Sequence, residues 1–115
     1  MDIARTEMII LTEDIEKMKD FYAEKLGLEV TRYDGHVAAF ANGISMHPRN
    51  EGHTKAADTP NNVDIALWVR DMDAAAKELK DRGVSFTTEP FDEGPIFLGM
   101  ITDPEGNDVL LLQRK

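Results

Sequence analysis

The sequence predicts an α+β fold of two tandem βαβββ modules, residues 4–48 and 63–114, joined by a polar loop at 49–62. Three observations predict it. Short β-branched or alternating apolar runs recur along the chain, which is the pattern of strands. Two segments, following Asp14 and Asp71, instead place apolar residues at steps of three and four, the period of an amphipathic helix. The order strand, helix, strand, strand, strand then occurs twice. On one offset Asp14 matches Asp71 and Glu7 matches Asp64, while Gly27 matches Gly83 after a slip of one residue. A module this small has too little core to stand alone, so the duplication supplies it.

Each element follows from local chemistry. Glu7 to Leu11 is a short apolar run that reads as a buried strand, and Thr12 or Asp14 can accept from free backbone amides to start a helix. That helix buries Ile15, Met18, Phe21, Tyr22 and Leu26, turns Glu16, Lys19, Asp20 and Glu24 outward, and ends at Gly27 as a left-handed cap. Leu28–Tyr33 alternates as a second strand. Asp34-Gly35 and Asn42-Gly43 are hairpin signals leading into strands at His36–Phe40 and Ile44–His47. The stretch from Pro48 to Asn62 is polar, holds two prolines and has no hydrophobic period, so it reads as a functional or mobile loop.

The second module opens with a strand at Val63–Val69. Asp71 caps a helix with apolar positions Met72, Ala75, Ala76 and Leu79, closed by Gly83. Strands are expected at Val84–Thr88, Ile96–Thr102 and Val109–Leu112, with a turn region from Pro90 to Pro95. Asp103-Pro104-Glu105-Gly106-Asn107 reads as a type I turn with a bulge.

Composition narrows the function. The chain has 115 residues, with 13 Lys+Arg against 22 Asp+Glu and a net charge of −9. Nucleic acids and anionic membranes are held by basic surfaces, so neither is expected as a partner. Cysteine is absent, which removes disulfide scaffolds, thiolate metal sites and thiol nucleophiles together. The apolar stretch near the N-terminus is too short for a signal or a transmembrane helix. A cytoplasmic protein is the resulting expectation. Dinucleotide, Walker, G-x-S-x-G and H-E-x-x-H signatures are all missing.

The wording of the two modules resembles the vicinal oxygen chelate superfamily, which includes glyoxalase I, bleomycin- and fosfomycin-resistance proteins and extradiol dioxygenases. The resemblance rests on Asp14 to Tyr22 followed by Lys25-Leu26-Gly27-Leu28, on Val69 to Ala75, and on the turn from Asp103 to Asn107, in that order over nearly the whole chain. It implies curved mixed sheets forming a cup, often completed by a second subunit, and hence a homodimer. It also implies four ligand positions inside the cup, as in the metal-dependent members. In this sequence they fall at Glu7, at His47 (or Met46 if the register slips), at Asp64 and at Leu110. The leucine breaks the set and argues against glyoxalase I activity.

Side chains alternate across a strand. Ile9 and Leu11 therefore share a face with Glu7, and Ala66 and Trp68 share one with Asp64. The purely apolar opposite sets are expected against the helices, and Leu110 and Leu112 toward the cup. Three readings compete for these residues. The favoured one is a small-molecule pocket without cofactor, binding through Glu7, His47, Asp64, Trp68 and Leu110, with the two acids favouring a cationic ligand and Trp68 stacking on it. The first alternative is a divalent-metal site of Glu7, His47 and Asp64 serving a lyase, isomerase or dioxygenase. The second is a purely structural role, in a non-catalytic interaction fold. Catalysis and sequestration both stay open at this stage.

Overall fold

A computed structural model of the chain describes residues 1–4, 8–49 and 65–115. The chain divides into two compact units, Met1–Asn61 and Asn62–Lys115. Each holds one four-stranded mixed sheet with its helix laid on one face.

In the first unit the elements are β1 (Met8–Thr12), α1 (Ile15–Asp20), β2 (Val30–Tyr33), β3 (Ala38–Phe40) and β4 (Ile44–Pro48), and the sheet order is β1-β4-β3-β2. β1 and β4 are parallel, and the other neighbours are antiparallel. A parallel pair needs a long crossover, which the helix and the β2–β3 hairpin provide. Asp14 stands in extended backbone and its carboxylate accepts from the Lys17 amide at 3.1 Å, so α1 starts where the sequence placed it. The helix does not run on regularly to Leu26. A π-helical turn at Phe21–Lys25 replaces its last part, with the Leu26 amide donating to the Phe21 carbonyl at 3.2 Å. A wider turn narrows the angle between neighbouring side chains, so consecutive rings can reach the same sheet. Phe21 and Tyr22 meet edge to face at 5.5 Å, and Tyr22 continues onto Phe40 at 6.3 Å. Tyr22 and Phe40 form a buried core on the helix side with Met18, Ile10, Ala38 and Met46, and the half-buried Phe21 flanks it.

The second unit repeats the plan with β5 (Ile65–Trp68), α2 (Met72–Asp81), β6 (Thr88–Asp92), β7 (Ile96–Thr102) and β8 (Asp108–Arg114), in the order β5-β8-β7-β6. Asp71 caps α2 as Asp14 caps α1, accepting from the Ala74 amide at 3.1 Å. Gly27 and Gly83 both take positive φ, 76° and 82°, the left-handed geometry that ends a helix without a Cβ penalty.

One strand lies later than the sequence suggested. Val84–Thr88 alternates like a strand, yet β6 begins at Thr88 and runs through Pro90, within the region expected to turn. Val84 is buried, and Phe86 lies so close to Gly99 of β7 that a Cβ added there would sit 3.1 Å from its ring. The apolar residues of this segment are core anchors. Pro90 is tolerated because β6 is an edge strand whose ladder shifts register between Thr88 and Phe91.

The turn joining β7 to β8 forms at the predicted place. Asp103 is 4% exposed, and its carboxylate accepts from the amides of Glu105 and Asn107 at 2.9 Å each and from the Asn107 side chain at 2.8 Å. Gly106 supplies the left-handed residue, with φ 81°. This turn fixes the register of β7 against β8, and so aligns the residues described next.

Candidate ligand-binding face

Pairing in the second sheet sorts its side chains into two faces, because directly opposed residues point the same way. One face carries Ile101, Val109 and Ile65 in one row and Gly99, Leu111 and Leu67 in the next. It lies under α2 and is buried apart from the half-buried Leu67. The Gln113 side chain, on this side of β8, accepts from the Met72 amide at 2.5 Å and fastens the first turn of α2.

The other face is also apolar. Phe91, Leu98, Leu112 and Trp68 form a continuous row across all four strands, and Thr88, Met100, Leu110 and Ala66 form the row beside it. Leu112 is buried, Leu98, Met100 and Leu110 are half-buried, and Phe91 is exposed. Trp68, at the β5 end of its row, is 56% exposed. The guanidinium carbon of Arg114 lies 5.4 Å from the centre of its ring, within cation–π range. Beside Trp68 a groove of about 940 Å³ runs over the β5 edge to the start of α2, lined by Val69, Arg70, Ala74, Glu78 and Gln113 among others.

The expected site residues can now be located. Trp68 and Leu110 stand on the same face in neighbouring rows, the side that the resemblance implied for both. His47 belongs to the first unit, where its pairing with Leu11 puts it on the side away from α1, and it is half-buried. Glu7 and Asp64 lie outside the described residues. Among the described residues no group of three or more His, Asp or Glu side chains gathers as a metal set, and no helix is long and apolar enough to cross a membrane. At the fourth ligand position the chemistry is plain. Leu110 is flanked in its row by Ala66 and Met100, so neither a carboxylate nor an imidazole is offered there. Leucine supplies neither the His nor the Glu that the resemblance implies at this position.

Sequence reasoning passed over Leu98, Met100, Arg70 and Arg114. Arg114 was within reach of it, since the alternation that pairs Leu110 with Leu112 continues to residue 114.

The comparisons agree with this architecture. Residues 3–111 match the family described as the Glyoxalase/Bleomycin resistance protein/Dioxygenase superfamily. The chain belongs to that superfamily. Among curated relatives of this superfamily member, the uncharacterized protein YurT of Bacillus subtilis is 26% identical, over 91% of this chain and 94% of its own. The solved structure of virulence protein STM3117 from Salmonella typhimurium superposes with a TM-score of 0.79 at 24% identity, covering all of both chains. Lactoylglutathione lyase from Agrobacterium tumefaciens superposes at 0.76 with 16% identity, over 96% of this chain and 92% of that one. A protein of unknown function from the same bacterium reaches 0.80 at 19% identity, over 100% and 97%. These likenesses establish the fold, which hosts many chemistries and selects none.

Proposed function

We propose that this superfamily member binds a small, flat, largely apolar molecule on the open face of its second sheet, without a four-ligand metal centre. The observation that carries the reading is Trp68. An indole left more than half exposed, at the end of a row of apolar side chains and beside a groove, is costly unless something covers it. Leu110 and Leu112 offer a floor, Trp68 offers a wall for stacking, and the groove offers room for a polar end. Sequestration needs nothing more than this. The chain has one tryptophan, so its emission reports on this face alone.

The test is a titration of Trp68 emission with a panel of small aromatic compounds, run on the parent and on Leu110→Gln. Saturable quenching by at least one compound, weakened several-fold in Leu110→Gln, is expected. A panel that leaves the emission unchanged overturns the reading. So does strong stabilisation of the fold by one divalent transition metal, bound at one equivalent and lost in Leu110→Gln, because it would put a metal where the floor should be.

A further inference from the structure

We infer that the molecule this face takes carries an anionic group, and that Arg70 and Arg114 receive it. The inference rests on the ligand-binding reading above and names the class of ligand. It runs opposite to the cation that Glu7 and Asp64 suggest from sequence.

In a chain with 22 acidic against 13 basic residues, carboxylate partners are plentiful. Arg32 pairs with Asp34 at 3.3 Å, Arg49 with Glu13 at 3.1 Å and Arg82 with Glu78 at 2.5 Å. Arg70 and Arg114 have no carboxylate partner among the described residues. Both line the groove beside Trp68.

Two acids share that groove. Asp71 accepts from the Ala74 amide as the cap of α2, and Glu78 is held by Arg82. Beside these two acids the groove offers a ligand two guanidinium forks and an indole face. A planar fork matches a carboxylate or phosphate oxygen pair in geometry, and an indole matches an aromatic ring. Arg114 already lies across Trp68, so a ring stacked on the indole would carry its acidic group toward that guanidinium. An aromatic carboxylate is the smallest molecule that uses both. Net charge repels anions from this protein at long range, so local cations are needed to accept one.

The experiment follows the single indole N–H signal of Trp68 by NMR while phenylacetate, 2-phenylethanol or phenethylamine is added. The three compounds share ring and size and differ in charge. Phenylacetate is expected to move the signal saturably and to bind about ten-fold more tightly than the other two, as charge-assisted hydrogen bonds warrant. Arg70→Gln and Arg114→Gln should each remove most of that preference, bringing the affinity for phenylacetate down toward that for 2-phenylethanol. Both residues are exposed, and a preserved spectrum confirms that each variant folds. Equal or tighter binding of the alcohol or the amine overturns the anion assignment and leaves the binding face standing. Phenylacetate binding that neither variant weakens overturns the assignment to these arginines. No shift with any of the three overturns both readings.

Discussion

Replacing Asp103 by alanine should loosen the β7–β8 hairpin that aligns the ligand face. The carboxylate accepts from two backbone amides and from the Asn107 side chain. Buried bonds to a charged acceptor contribute about 1.5–3 kcal/mol each. The donors here are half-buried and water can replace part of the loss, so about 1 kcal/mol per bond is the appropriate scale, or roughly 3 kcal/mol in all. Unfolding entropy of about 2.1 cal/mol/K per residue, over this whole chain melting cooperatively, turns that into a fall of about 12 °C in Tm. Asp103→Asn keeps the oxygen that serves the two backbone amides and should lose only about 1 kcal/mol. Differential scanning calorimetry of the parent and both variants is the assay. A Tm for Asp103→Ala within about 2 °C of the parent, or equal damage from alanine and asparagine, would refute the assignment of the turn's stability to these bonds.

Three further outcomes follow. Gly99→Val pushes a branched side chain into Phe86 and Pro90, where even a Cβ would stand 3.1 and 3.2 Å away; urea denaturation should show a loss of about 2 kcal/mol. Asp71→Ala removes the cap of α2 and should cost about 1 kcal/mol by the same measurement, with Asp71→Ser restoring most of it. Asp34 has its carboxyl pulled from 3.8 to about 2, first by the Val37 amide, then by the amide of His36 and by Arg32. A depressed carboxylate stabilises the fold above its unfolded pKa, so this contribution is full above about pH 4 and fades as pH falls through 2. The Asp34 carboxyl carbon should titrate near 2 by NMR, and a midpoint near 4 would contradict the hairpin geometry.

Much of this protein could be read from local chemistry. Asp14 and Asp71 stand at the two helix starts because a short carboxylate can accept from the third amide of the helix, and Gly27 and Gly83 stand at the ends because only glycine takes positive φ without strain. Alternation paired Trp68 with Ala66 and Leu110 with Leu112, and the register implied by the superfamily resemblance put the two pairs on one side. The position of β6 could not be read this way. Alternating Val84 and Phe86 look the same whether they pair in a ladder or anchor an extended approach, and the difference is made by Gly99, which is distant in sequence and leaves room for Phe86. The π-helical turn is likewise set by packing of Tyr22 on Phe40, which no helical period encodes. The groove's arginines were missed because their meaning lies in the lack of a carboxylate partner among the described residues, and partners are a property of the fold.

The central claim is that the open face of the second sheet holds a small molecule. Nuclear Overhauser contacts between bound phenylacetate and the protein test it most directly. The account predicts contacts from the phenyl protons to the Trp68 ring and to the methyl groups of Leu110 and Leu112. Contacts confined to other parts of the chain, with these methyls and this ring silent at saturating phenylacetate, would contradict it.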